Sequence, residues 1–66
     1  MAVAKTIEII SSSSEGVEAA IRDGIAKASE TVNGIEGAWV QDTKVVVRDG
    51  RVTEWRVNLK VTFVVS

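Results

Sequence analysis

The sequence predicts an α+β fold with the element order β-α-β-β, in which one helix packs on one face of a three-stranded antiparallel sheet. Residues from Trp55 to Val65 alternate between apolar and mostly polar types, which is the period of a strand with one buried face. Apolar and small residues recur at spacings of three and four from Val17 to Val32, as in an amphipathic helix. Asp49-Gly50, between two β-branched segments, indicates a two-residue hairpin turn.

The first predicted strand spans Val3 to Ile10, where β-branched residues alternate with others. The serine run that follows is too short to separate two domains. We therefore interpret it as a turn that ends in a helix N-cap, with Ser13 as the capping residue.

The predicted helix runs from about Ser14 to Val32. Gly24 lies on its apolar stripe, where glycine lowers helix propensity by about 1 kcal/mol relative to alanine. This indicates a position where the helix lies close to the sheet. Asn33-Gly34 is expected to end the helix with a left-handed residue.

Two long strands are predicted to form the hairpin, Ala38–Arg48 and Arg51–Val65, after a connector at residues 35–37. A two-residue turn sets Arg48 opposite Arg51, and the same register sets Val40 opposite Leu59. It also turns Asp42 and Lys44 toward the helix, where charged residues fit poorly. We expect the hairpin to run past the helix there, or a bulge near Val45–Val47 to change the register.

The predicted hairpin is too long for one small subunit to cover. Fifteen extended residues span roughly 50 Å, whereas a helix of about 19 residues spans about 28 Å. The uncovered part is rich in valine, and Trp39 lies on the face without a helix. Exposed apolar surface of this kind is typical of an interface, so the sequence predicts a homo-oligomer.

Composition excludes several classes of function. The 66 residues, taken as one domain over 1–66, include no Cys and no His, which excludes disulfides, thiolate or imidazole metal sites and a Ser-His nucleophile. A net charge of −1 gives no basic patch for nucleic acid, and no apolar run approaches the length of a membrane span. We expect a cytoplasmic protein that is not an enzyme and that binds neither nucleic acid nor membranes.

Three segments carry a family resemblance: VAKTIEIISSSSEGVEAAI, AKASETVNGIEGAWV and WRVNLKVTF. Together with the length and the element order, they resemble the dodecins, small flavin-binding proteins that assemble as hollow dodecamers. The resemblance implies the β-α-β-β fold and a homododecamer with its helices outside and its sheets lining the interior. It also implies a role in binding or storing a small-molecule ligand.

The sequence departs from the family at the flavin site that the resemblance implies. A dodecin Trp that stacks on the isoalloxazine corresponds to Gly37, and a Gln that reads the ring's polar edge corresponds to Arg56. Both the stacking and the donor–acceptor match are lost, so we expect FMN or riboflavin to bind weakly or in an altered mode. Trp39 and Gln41 lie further along the same predicted face. The candidate cofactor-binding residues are Gly37, Trp39, Gln41 and Arg56.

Several residues keep two interpretations at this stage. The resemblance is closest to dodecins without the stacking Trp, of which at least one binds calcium, so a structural or cation-binding dodecamer is the alternative function. Asp42 would then supply oxygen ligands to calcium or magnesium at a symmetry axis, or else form a salt bridge with Lys44 or Arg56. Trp39 serves either a subunit interface or a ligand. Arg56 binds an anionic or carbonyl-bearing ligand, or pairs with Glu54 or a neighbour's Asp42.

Overall fold

The computed structural model describes residues 3–65 and confirms the predicted element order. The sheet is antiparallel with the strand order β1-β3-β2, so the last strand is the central one. No helix in this part of the chain has the length and apolar character to cross a bilayer. The elements are β1 (Ala4–Ser13), α1 (Val17–Ala28), β2 (Ile35–Arg48) and β3 (Arg51–Val64).

The core lies between α1 and the two strands β1 and β3. Ala20 of the helix and three residues of β3 (Val57, Leu59 and Val61) are almost wholly buried. Burial of each such β3 side chain stabilises the fold by about 1.5–3 kcal/mol. Gly24 lies so close to β1 that an added Cβ would stand 2.8 Å from the Cβ of Ser11, which confirms its role as a close-packing position.

Helix α1 has 12 residues, and the prediction of a helix from about Ser14 to Val32 is wrong at both ends. Its N-cap is Gly16, without a side-chain capping hydrogen bond, so the assignment of Ser13 as the cap is wrong. The Ser13 hydroxyl instead accepts a hydrogen bond from the backbone N–H of Glu15, at 3.0 Å. The serine run continues β1 because Ser11 to Ser13 still have partners on β3.

The C-terminus of α1 also differs from the prediction. Both the backbone N–H and the hydroxyl of Ser29 donate to the carbonyl of Ile25, at 2.9 and 2.8 Å. The C-cap is Ser29, whose backbone has the right-handed helical conformation. The left-handed cap predicted at Asn33-Gly34 is therefore wrong. Gly34 has φ 79°, but it serves the turn into β2, where its carbonyl accepts a hydrogen bond from the N–H of Val64 at 3.0 Å.

The hairpin turn is confirmed. Asp49 and Gly50 have φ values of 51° and 76°, and Arg48 pairs with Arg51. Positive φ at both central residues is the requirement of a type I′ turn. Strand β2 begins at Ile35, three residues before the predicted start, because Ile35 already pairs with Phe63.

The register of the hairpin changes at Gln41, which was not predicted. Val40 faces Leu59 as expected, but Asp42 faces Asn58 and Lys44 faces Arg56. A single extra residue turns the side chains that follow it to the other face, so both charged side chains leave the apolar face. The register of the two-residue turn, which set Asp42 and Lys44 toward the helix, is therefore wrong for both residues. A second shift, between Val46 and Val47, falls in the predicted segment.

The hairpin extends well past the helix, as expected. The molecule is 52 Å long, whereas the 12 residues of α1 span only about 18 Å. Val45, Val47 and Val52, near the turn, are 39–56% exposed. One subunit thus leaves an apolar strip along its own hairpin.

Candidate ligand-binding face

The sheet surface opposite α1, which we call the open face, carries the candidate site residues. Cross-strand partners share a face, and alternate residues of one strand share it too, so the register defines rows that run from β1 across β3 to β2. Successive rows stand about 7 Å apart along the strands. In order toward the hairpin turn they are Thr6–Thr62–Gly37, Glu8–Lys60–Trp39, Ile10–Asn58–Asp42 and Ser12–Arg56–Lys44.

Gly37 leaves room on the open face at the position that the resemblance assigns to a stacking Trp. A Cβ added there would meet only the hydroxyl of Thr62, at an ordinary 3.6 Å. That hydroxyl donates to the carbonyl of Gly37 at 3.1 Å. Trp39, in the next row, is 61% exposed and faces Lys60. The exposed aromatic surface thus lies one row away from the position expected for the stacking Trp.

Arg56 is held by an acid of its own strand. Its Nε donates to the Glu54 carboxylate at 2.6 Å, which is the first of the pairings considered for it. Lys44 stands directly opposite on β2, so two cations face each other in this row. Within residues 3–65 Asp42 forms no ion pair, and its predicted salt bridge with Lys44 or Arg56 is absent there.

A shallow cavity of about 230 Å³ lies on the open face between the two rows nearest the turn. Its floor includes Asn58, whose Oδ1 is buried and accepts no hydrogen bond. Ile10, 75% exposed, forms an apolar wall. The lining residues are Ile10, Asp42, Lys44, Arg56, Val57 and Asn58.

Sequence reasoning missed Ile10, Lys44 and Asn58 as candidates. The signal for Lys44 was present, because charged residues in helix-facing positions indicated a change of register. Ile10 was an apolar residue among otherwise polar or small ones on its face of β1. Nothing in the sequence indicates that Asn58 is a site residue, because it is one of several polar residues in an alternating strand.

Gly37 and Arg56 lie far apart on the open face. Gly37 faces Thr62, which is six residues from Arg56 along β3, or about 20 Å. That exceeds the length of a tricyclic ring. Gln41 occupies the bulge and has no partner across the ladder. A single flavin touching positions 37 and 56 would need them from two subunits.

Asp42 belongs to no cluster of metal-ligating side chains within residues 3–65. In the part of the chain that the structure describes, no three His, Cys, Asp or Glu side chains come together to hold a metal ion. Calcium takes six to eight oxygen ligands. A cation site that includes Asp42 therefore needs oxygen ligands beyond the carboxylates of residues 3–65, such as amide or backbone carbonyls, water or groups of further subunits.

The family model that matches this chain, over residues 3–66, is that of the dodecins. This chain is a dodecin. It is 33% identical over 61 residues to the dodecin of Thermus thermophilus, an alignment that covers 92% of this chain and 88% of that one. Dodecins are small binding and storage proteins that form hollow dodecamers.

Solved dodecin structures agree with the fold. The dodecin of Streptomyces davaonensis superposes with a TM-score of 0.93 at 32% identity, covering 98% of this chain and 96% of that one. The calcium dodecin of Mycobacterium tuberculosis, described as a calcium-chelating antigen with a novel calcium-binding site, superposes with a TM-score of 0.81 at 31% identity. That match covers 92% of this chain and 87% of the other.

Proposed function

We propose that this dodecin is a ligand-binding or storage shell, a hollow homododecamer without enzymatic activity that binds small planar ligands on its open faces and binds flavin weakly. One observation carries the proposal. At the two positions where the family is expected to hold flavin, this chain has Gly37 and an Arg56 already paired with Glu54. The exposed aromatic ring is Trp39, one row away.

The assembly is tested by size. Twelve copies of the 7.1 kDa chain have a mass of about 85 kDa, and we expect light scattering at micromolar concentration to return that value. The exposed valines of the hairpin are the apolar surface that assembly would cover. A monomer or dimer under these conditions would overturn the proposed assembly.

Flavin binding is tested by titrating riboflavin and FMN into the sized assembly and following the quenching of flavin fluorescence. Each absent stacking contact removes about 1 kcal/mol beyond the area it buries. Arg56 offers donors only, whereas a flavin edge presents both donors and acceptors. We expect dissociation constants well above micromolar for the unmodified chain.

The double substitution Gly37→Trp, Arg56→Gln supplies both family residues, and position 37 has room for the ring. We expect its flavin affinity to rise by about tenfold or more, since 1.4 kcal/mol corresponds to a factor of ten. Gly37→Leu with Arg56→Gln is the matched control, because leucine adds apolar volume without an aromatic face. Submicromolar binding with strong quenching by the unmodified chain would refute weak flavin binding.

The second candidate is a calcium-type dodecamer. The similarity to a calcium dodecin favours it, as does the Asp42 carboxylate, which stands on the open face without an ion pair in residues 3–65. In this case carboxylates from several copies would meet at a symmetry axis. The role of the shell would be structural or cation-buffering, with calcium or magnesium as the bound ion.

A further inference from the structure

We infer that the row Ile10–Asn58–Asp42, with Trp39 beside it, selects planar heterocycles that carry an amino group next to a ring N–H. Pterins and guanines have this edge, whereas flavins do not. The inference rests on the proposed function of the open face as a ligand-binding surface. It concerns a site within one subunit, unlike the Gly37 and Arg56 positions, which stand about 20 Å apart.

Two side-chain oxygen acceptors of this row, on Asn58 and Asp42, have no hydrogen-bond donor within residues 3–65. The Asp42 carboxylate offers two acceptor oxygens, and it stands directly opposite Asn58 across the ladder. The Oδ1 of Asn58 is buried, and no group in residues 3–65 donates to it. An acceptor removed from water without a donor is unfavourable, so the row favours a ligand that brings N–H groups.

The flavin edge has the wrong pattern for these acceptors. It presents a carbonyl, a ring N–H and a second carbonyl, so a carboxylate beside the N–H faces at least one carbonyl oxygen. Replacing that carbonyl with an amino group gives two adjacent donors. A carboxylate accepts two parallel hydrogen bonds from such a pair, as it does from an arginine fork. The remaining ring carbonyl can accept from Lys44, in the next row.

The apolar groups around the row suit a flat ring. Trp39 lies about 7 Å from the Asn58–Asp42 pair along the strands and is 61% exposed, which leaves an indole face free for stacking. Ile10 closes the other side of the row, at 75% exposure. The cavity of about 230 Å³ that Ile10, Asn58 and Asp42 line is open to the face of the sheet, and Trp39 lies in the neighbouring row.

Pterin and lumazine provide a matched pair of probes, because they differ only in an amino group and a carbonyl at one ring position. Each is titrated into the sized assembly, with tryptophan emission and ligand fluorescence as readouts. We expect pterin to bind about tenfold more tightly than lumazine, as charge-assisted bidentate hydrogen bonds are among the strong ones. Guanosine and inosine, which differ by the same amino group, show whether a purine satisfies the site as well as a pteridine.

Three variants test the assignment. Asp42→Asn replaces one carboxylate oxygen with an amide donor and should abolish or reverse the preference for pterin. Asp49→Asn, the same charge change at the hairpin turn, should leave the preference unchanged. Trp39→Phe should weaken pterin and lumazine alike and keep their ratio. The mass of each variant's assembly is measured first by light scattering, so that a loss of assembly is distinguished from a loss of binding.

Equal or tighter binding of lumazine by the unmodified chain would overturn the inference, and so would an unchanged preference in Asp42→Asn. An intact dodecamer that binds neither pterin nor guanosine would also overturn it. That result leaves the proposed shell in place, because its size and its flavin affinity are measured separately.

Discussion

At the scale of single residues, Gly24 sets how closely α1 lies on the sheet. Its missing side chain lets β1 approach, with the Cβ of Ser11 and the Cδ1 of Leu59 in the space that a Cβ would occupy. Both neighbours belong to strands held by their own ladders. The helix cannot move away without uncovering the core between them.

We expect Gly24→Ala to destabilise the subunit. Overpacking typically costs about 1–3 kcal/mol, and the gain in helix propensity of about 1 kcal/mol offsets only part of it. The thermal midpoint, measured at one fixed protein concentration, should fall by several degrees. Ser11→Gly combined with Gly24→Ala removes the Cβ that the new one meets, at 2.8 Å, and should recover much of the loss. A Gly24→Ala chain more stable than the parent would refute this packing role.

At the scale of elements, the strands and the hairpin turn could be read from the sequence because each depends on local chemistry. Alternation fixed β3, and the Asp49-Gly50 pair fixed the turn. Helix length could not be read in the same way, because Ser11 to Ser13 join β1 through pairing with β3, a long-range contact that outweighs local capping preference. Tertiary pairing, rather than propensity, decides where α1 begins.

The candidate site was only partly predictable for a similar reason. Gly37, Trp39 and Arg56 stand on the open face as expected, but Asp42 and Lys44 reach it only through the bulge at Gln41. A bulge depends on the fit of two strands over their whole length. The polar residues in apolar positions indicated that the register changes, but they did not indicate where.

The hairpin turn provides a prediction at the scale of elements. Gly50→Ala places a side chain at φ 76°, with nothing within 4 Å of the new Cβ, so the effect is one of backbone strain alone. We expect a loss of about 1–2 kcal/mol, seen as a lower thermal midpoint. Asp49→Asn is the control, since asparagine tolerates the left-handed region and should leave the midpoint nearly unchanged. Equal midpoints for the parent and Gly50→Ala would contradict the assigned turn.

At the scale of the whole molecule, calcium removal separates the two candidate functions. For a cation-type dodecamer, calcium at 100 times its dissociation constant stabilises the folded state by about 2.7 kcal/mol, so a chelator should lower the melting temperature by several degrees. Asp42→Asn should remove that shift, and Asp49→Asn should keep it. A melting temperature that does not respond to chelator or to added calcium would contradict the cation-type alternative.

The strand order determines when the sheet can form during synthesis of the chain. In residues 3–65 both β1 and β2 pair with β3 alone, so the sheet forms only after the last strand has been made. At about 5–20 residues per second, the chain grows for roughly 2–8 s between the end of β1 and the start of β3. During this interval β1, and then β2 as it is made, have no strand partner within their own chain. Unpaired strand edges of this kind are prone to aggregation, and the pairing of β3 with both strands removes two of them.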